Sequence, residues 1–211
     1  MRGLIVKDFY NMGKHIGPTL VTAVCVGLLL MVQGSPALFV IGFAIAGGGL
    51  CSTCLRMDEA AGWTRFELTA PVGRAAVVLE KYLLLFLLTA AGLVVGGAVS
   101  GVAAAATGTL DFTALLLYSS VAFSISVISG SLILFFLFRF GMMKADFFTV
   151  LCYAVPAGLF VAALVAAKAF GFEVRTGPLR TVITCLFPLI ALAAAGLTAA
   201  ASVAVYRKKQ F

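Results

Sequence analysis

The sequence has few charged residues. Asp, Glu, Lys and Arg make up 11% of its 211 residues, whereas a soluble globular domain carries about 25%. Hydrophobic residues make up 63%, and the mean hydropathy is +1.15. A soluble domain of this size could not bury that much apolar surface. The composition excludes a soluble enzyme, a nucleic-acid-binding domain, a disulfide-stapled secreted domain and a disordered tail, and it predicts an all-α integral membrane protein.

Residues that support catalysis or nucleotide binding are also scarce. His15 is the single histidine, so neither a Ser–His dyad nor a two-histidine zinc site can be assembled. The phosphate-binding pattern GxxxxGK[S/T] is absent, which excludes an ATP site of the P-loop type in this chain. Cys51 and Cys54 have redox spacing, but all five cysteines lie in predicted spans, where we interpret them as packing residues. We therefore expect no enzymatic activity, no metal and no cofactor in this chain.

Long apolar runs between polar stretches predict six transmembrane helices, because about 20 apolar residues cross the hydrocarbon layer of a membrane. The predicted spans are residues 16–32, 37–55, 82–106, 112–138, 147–167 and 182–206. The remaining segments are an N-terminal interfacial amphipathic helix, a cytoplasmic loop and an extracellular loop, at residues 1–15, 56–81 and 168–181. The chain, 1–211, is predicted to be a single transmembrane domain.

The distribution of positive charge predicts the orientation of the chain. Loops on one side carry all but three of the 15 Lys and Arg residues, the exceptions being Lys168, Arg175 and Arg180. Cytoplasmic loops are enriched in Lys and Arg, so both termini are predicted to be cytoplasmic. The net charge of +7 is expected to face anionic lipid headgroups and not nucleic acid. The predicted spans contain no ionisable side chain deep in the membrane, which argues against an ion-coupled transporter with its own energy source.

The third predicted span contains regularly spaced glycines, and the fourth contains several serines. Gly92 and Gly96, followed by Gly97 and Gly101, have the four-residue spacing that permits close helix packing, within one bundle or against a second subunit. In the fourth span three serines share a helix face, namely Ser120, Ser124 and Ser131. Their hydroxyls either line a path for an amphipathic substrate or bond to carbonyls one turn earlier, and we favour the second interpretation.

The cytoplasmic loop is the most unusual segment. Asp58 and Glu59 favour the first turn of a short helix, and Pro71 is expected to end it. Trp63 and Phe66 are aromatic groups placed among charges outside the membrane. Such a helix suits a groove on a cytoplasmic partner, although a loop folded against lipid headgroups has the same composition.

Two segments resemble small bacterial permeases of the type-2 ABC exporter class, which includes the membrane subunits that export phenol-soluble modulins and related peptides. They are residues 58–74 (DEAAGWTRFELTAPVGR), with the following Lys81 and Tyr82, and residues 1–10 (MRGLIVKDFY). The resemblance implies that the loop is a coupling helix, which docks on a separate ATPase subunit that binds ATP and Mg. It further implies an N-terminal connecting helix, two permease chains, alike or different, and a bacterial plasma membrane.

On this resemblance, the loop supplies the contacts with the partner ATPase. Trp63, Phe66 and Leu68 would be the buried contacts, and Arg74 would anchor the loop beneath the third span. The full predicted set is Asp58, Glu59, Trp63, Arg65, Phe66, Glu67, Leu68, Pro71 and Arg74. The implied function is ATP-driven export of an amphipathic peptide, a lipid or a hydrophobic drug. The alternatives are the substrate-binding membrane subunit of a vitamin or metal importer and, less favoured because catalytic residues are missing, an intramembrane enzyme.

Overall fold

The computed structural model describes residues 2–31, 36–63, 73–108, 111–141, 145–169 and 178–208, and none of these residues lies in a β-strand. They form a bundle of α-helices, with a 3₁₀ turn at Pro36–Leu38 before the second. The helices are α1 (Arg2–Met31), α2 (Phe39–Ala60), α3 (Arg74–Ala106), α4 (Phe112–Phe140), α5 (Ala145–Ala169) and α6 (Pro178–Lys208). The predicted all-α class is confirmed.

Several of these helices are long and apolar enough to cross a membrane. Within the described ranges there are 5 such segments, namely Val6–Leu29, Pro36–Ala60, Ala75–Ala106, Phe112–Phe140 and Arg180–Arg207. In α5 the described side chains give a shorter apolar segment, Phe147–Leu159. The chain is therefore a multi-pass membrane protein, and the sixth span, at residues 147–167, stays a prediction.

The N-terminal segment differs from the expected arrangement. The sequence predicts an interfacial helix over residues 1–15 and a separate span over residues 16–32, but α1 is one continuous helix of 30 residues. Pro18 lies inside it, and the candidate membrane span within α1, Val6–Leu29, extends across the predicted boundary at residue 16. The separate interfacial helix is thus not confirmed, because the two segments share one helical period and nothing between them ends the helix.

Two helices form the centre of the bundle. α2 packs against α1, α3 and α4, while α4 packs against α2, α3, α5 and α6. These central helices are the most buried, whereas α6 exposes large apolar side chains such as Leu189 and Leu197 along its outer face. Apolar side chains on the outside of a bundle suit lipid tails as solvent.

The contact between α2 and α3 depends on glycine. A Cβ atom added to Gly92 would lie 2.4 Å from the carbonyl oxygen of Phe43, and one added to Gly47 would lie 2.4 Å from that of Leu88. The two backbones are therefore closer than any side chain allows, which is the packing that small residues permit in membrane helices. By contrast, a Cβ added to Gly97 meets nothing within 4 Å, so the second predicted glycine pair does not contribute to this contact.

Asp111 caps the N-terminus of α4. Its carboxylate accepts hydrogen bonds from the backbone N–H groups of Thr113 (2.9 Å) and Ala114 (3.2 Å), as well as from the Thr113 hydroxyl. The Thr113 hydroxyl, together with these N–H groups, lowers the pKa of the Asp111 carboxyl. Because the folded-state pKa is lowered, the cap stabilises the fold at neutral pH and loses this contribution as the pH falls.

We expect Asp111→Ala to lower the melting temperature at neutral pH and to have a smaller effect in acid, where the wild-type cap is itself protonated. Asp111→Asn is the matched control, because asparagine also accepts the capping hydrogen bonds. Thermal unfolding in detergent at two pH values measures both. A loss in the alanine variant that is independent of pH would contradict this role of the carboxylate.

Candidate functional site

Charged side chains from three helices meet at the end of the bundle where α1 begins, α2 ends and α3 begins. Lys7 and Asp8 lie on α1, Asp58 in the last turn of α2, and Glu80 and Lys81 near the start of α3. Four of these side chains are buried, and that of Lys7 is 22% exposed. We call these five residues the charge cluster.

Lys81 is the centre of the charge cluster. Its Nζ donates to Asp8 Oδ2 (2.6 Å) and to Asp58 Oδ2 (2.7 Å), so one ammonium group joins all three helices. The Nζ of Lys7 donates to Asp58 Oδ1 (2.8 Å) and lies 3.2 Å from Asp8 Oδ1. Short, charge-assisted hydrogen bonds of this kind fix both the distance and the register between helices.

The charge cluster lies next to the hydrophobic core, which strengthens these hydrogen bonds and makes the loss of one of them strongly destabilising. One turn away on each helix, Met12, Leu55 and Val77 belong to the main hydrophobic core. In such an environment an ion pair is little screened by solvent, and a charge that loses its partner stays unsolvated. The charge cluster therefore sets the relative positions of the three helix ends.

Asp58 and Lys81 also lie near the two ends of the predicted coupling loop, residues 56–81. Their hydrogen bond holds those ends together, and Asp8 brings the start of α1 to the same point. Next to this contact, Lys7 Nζ lies 4.8 Å from the centre of the half-buried Trp63 ring, within cation–π range. The loop and the N-terminal helix, the two segments with a recognisable sequence signature, are thus in direct contact.

The structure places the predicted coupling residues as follows. Asp58 and Glu59 lie in the last turn of α2 and not in the first turn of a new helix, because α2 continues to Ala60. Trp63 follows directly, and Arg74 is the first residue of α3. Five further members of the predicted set lie outside the described residues, namely Arg65, Phe66, Glu67, Leu68 and Pro71.

Sequence reasoning missed most of the charge cluster. The sequence pattern assigns Lys7 to the polar face of an interfacial helix and gives Asp8 no role. It places Glu80 and Lys81 at the end of the cytoplasmic loop, on a helix that is expected to start near Gly73 and Arg74. The structure places them inside helices and buries all but Lys7, so helices that we expected to lack buried charge carry it at this end. One available signal was the acidic residues at the ends of the apolar runs, since a carboxylate there requires a cationic partner.

The three serines proposed as a substrate path behave differently from one another. Ser124 Oγ donates to the carbonyl of Ser120 and Ser131 Oγ to that of Ile128, both within α4, which agrees with the favoured interpretation. Ser120 Oγ instead donates across to the carbonyl of Thr184 on α6 (2.8 Å). A role of these hydroxyls in substrate passage stays a prediction.

The hydrogen bond from Ser120 compensates for a backbone donor that is missing in α6. Pro188 lies four residues after Thr184 in α6, and proline has no N–H to donate to that carbonyl. A carbonyl left free inside a membrane protein needs another donor, and Ser120 supplies it from the neighbouring helix.

We expect Ser120→Ala to destabilise the fold by about 1 kcal/mol, because the carbonyl of Thr184 loses its donor. Ser124→Ala is the control, since its hydroxyl only bonds back within its own helix. The two variants are compared by thermal unfolding in detergent. Equal melting temperatures would show that the carbonyl is satisfied in another way.

Metal binding has no candidate in the described part of the chain. No group of at least three His, Cys, Asp or Glu side chains there is arranged to hold an ion. In the charge cluster, lysine ammonium groups occupy the space between the carboxylates, so the cluster is an ion-pair network and not a cation site.

Comparison with known proteins gives one match. The model of the family described as "ABC-2 family transporter protein" matches residues 3–207, which is nearly the whole chain. No curated protein and no solved structure matches the sequence. The match includes α1, the segment between α2 and α3, and the charge cluster between them.

Proposed function

Because this chain belongs to the ABC-2 family of transporter proteins, we propose that it is the permease subunit of an ATP-driven exporter. Membership confirms the predicted ABC-2 type of permease and implies partnership with an ABC ATPase. The exported substrate, in this proposal, is an amphipathic or hydrophobic molecule such as a peptide, a lipid or a drug. The membrane is the bacterial plasma membrane, and both termini are cytoplasmic.

The energy source lies outside this chain. The sequence has no P-loop, so ATP and Mg are bound by a separate ATPase subunit. Such an ATPase moves substrate only if its own closure is transmitted to the membrane helices, which then change between two packings. The permease therefore needs a cytoplasmic contact that is tied firmly to those helices.

The charge cluster is the observation that carries this proposal. It ties both ends of the segment between α2 and α3 to the start of α1 through Lys81, Asp58 and Asp8. A displacement of that segment by a partner is thereby transmitted to three helices together. An unconnected loop on a lipid-facing surface would need no such buried attachment.

The nature of the substrate is inferred from the bundle interior. Away from the charge cluster, the buried polar residues of the described helices are mainly neutral hydroxyls. Among them, Thr89, Ser126 and Tyr82 bond to other hydroxyls or to backbone carbonyls. Neutral, mildly polar walls suit an amphipathic molecule better than an ion. A second permease, identical or different, completes the transporter and covers part of the apolar outer surface.

We expect Trp63→Ala combined with Phe66→Ala to reduce the stimulation of the partner ATPase by tenfold or more, because truncation of a buried aromatic contact removes about 2 kcal/mol of binding. The measurement is ATP hydrolysis by the ATPase subunit with the permease reconstituted in liposomes. The variant should still insert, since the helices remain intact.

Phe112→Ala is the matched control, because this phenylalanine is exposed and begins α4 at the opposite end of the bundle. It should leave ATPase stimulation unchanged. Full stimulation by the Trp63 and Phe66 variant would overturn the assignment of the loop as the ATPase contact.

A further inference from the structure

Glu80 has no counter-ion of its own within the charge cluster. The residue is 1% exposed. Lys81 Nζ lies 3.7 Å from Glu80 Oε2, beyond hydrogen-bonding distance, because its donors are directed at Asp8 and Asp58. In the described part of the chain no donor reaches either carboxyl oxygen of Glu80. A buried carboxylate in this situation is strongly disfavoured.

One carboxyl oxygen of Asp8 also lacks a hydrogen-bond partner. Its Oδ2 accepts a hydrogen bond from Lys81, but its Oδ1 has no hydrogen-bond partner among the described residues, although Lys7 Nζ is 3.2 Å away. Both carboxyl groups lie beside the same ammonium group, because Lys81 Nζ is 2.6 Å from Asp8 Oδ2 and 3.7 Å from Glu80 Oε2. Two ionised carboxylates repel each other and cannot form a hydrogen bond, whereas a single shared proton satisfies both.

The charge balance leads to the same conclusion. Asp8, Asp58 and Glu80 provide three carboxyl groups, while Lys7 and Lys81 provide two ammonium groups, so full ionisation leaves one negative charge uncompensated. One proton makes the charge cluster neutral. Neutrality is the favoured condition for charges removed from water.

Other titratable groups at this end do not supply the missing donor. On α2, Cys51 Sγ donates to the carbonyl of Lys81, while Cys54 is buried in the core. On α6, Tyr206 packs edge-on against Phe138. On α4, Arg139 is exposed and lies over the ring of Phe140. None of them donates to Glu80.

We propose that Glu80 is protonated at neutral pH and shares its proton with Asp8 through a hydrogen bond between the two carboxyl groups. This proton joins α3 to α1, two helices that otherwise contact each other at few points. Its removal at high pH restores the repulsion between the carboxylates and loosens the start of α1. The site does not depend on the transport role, so it can be tested on the permease alone.

Infrared spectroscopy of the purified protein in detergent at neutral pH tests the proton directly. The wild-type spectrum should contain the C=O stretching band of a protonated carboxylic acid, and uniform [13C]Glu labelling should shift it. Glu80→Gln should remove the band, while Glu59→Gln should keep it because Glu59 is a partly exposed carboxylate near Gly141. Absence of the band from the wild type, or its full retention in Glu80→Gln, would overturn the proposal.

The melting temperature as a function of pH provides a second test. If the folded state holds a proton that the unfolded chain releases, stability falls as the pH rises through the neutral range. Glu80→Gln mimics the protonated form, so its curve should be flatter than those of the wild type and Glu59→Gln. Parallel curves for all three proteins would refute the shared proton. If Glu80→Gln does not fold, the labelled wild-type spectrum decides alone: the shifted band must disappear as the pH is raised.

Discussion

Replacing Lys81 with methionine is expected to lower the melting temperature by about 10 °C, because breaking a buried ion pair costs about 3–5 kcal/mol. Methionine has a similar length but no charge, so Asp8 and Asp58 lose the ammonium group that bridges them at 2.6 and 2.7 Å. Trp63, the only tryptophan of the chain, lies beside Lys7 and allows the loss of structure at this end to be followed by fluorescence.

Lys14→Met is the matched control, because Lys14 is an exposed lysine on the same side of the bundle in α1. An exposed substitution of this kind is expected to change stability by less than about 0.5 kcal/mol. A second comparison combines Lys81→Met with Asp58→Asn. If the two residues interact, the double variant loses less stability than the sum of the single variants. Identical behaviour of Lys81→Met and Lys14→Met would show that the bridge contributes nothing.

Gly92→Ala is expected to be strongly destabilising, although the change is conservative. The new Cβ would lie 2.4 Å from the carbonyl oxygen of Phe43, so α2 and α3 would have to move apart along their contact. Overpacking of this kind destabilises the folded state by about 1–3 kcal/mol. The loss is larger where the new atom meets backbone, because backbone cannot change rotamer as a side chain does. We expect a lower melting temperature and lower ATPase stimulation together, because the same two helices flank the coupling loop.

Gly97→Ala tests whether the effect comes from the contact and not from glycine itself. Gly97 lies on the same helix, and a Cβ there meets nothing within 4 Å. Alanine at this position should be neutral or slightly stabilising, since it is the better helix former by about 1 kcal/mol. A similar loss in both variants would argue against a close approach at Gly92.

The helices were largely predictable from the sequence, because apolar runs of sufficient length leave few alternatives in a membrane. The predicted span at residues 112–138 agrees with α4, Phe112–Phe140. The boundary at residue 16 is not confirmed, for a physical reason. An amphipathic helix and an apolar helix have the same 3.6-residue period, so a change of surroundings does not produce a break in α1.

Contacts between helices could not be predicted in the same way. Gly92–Gly96 and Gly97–Gly101 have identical spacing, yet only the first pair faces α2, and the pattern alone does not say which face meets a neighbour. The charge cluster joins positions 8, 58 and 81, whose proximity follows from tertiary packing and leaves no local motif. The resemblance includes Asp58, Trp63, Lys81 and Lys7, but it does not indicate that Lys81 pairs with Asp58 or that Lys7 lies beside Trp63.

The close backbone contact at Gly47 and Gly92 has a consequence for the kind of motion that α2 and α3 can perform. Glycine permits close contact between the two backbones, and the bond between Asp58 and Lys81 joins them at the end where α2 stops and α3 starts. Two helices that are in close contact at two separated points resist sliding and twisting relative to each other. Torque applied at the turn therefore swings both helices as a single rigid body, and any change of shape in the bundle must be taken up along the surfaces where this helix pair meets α1, α4 and α6.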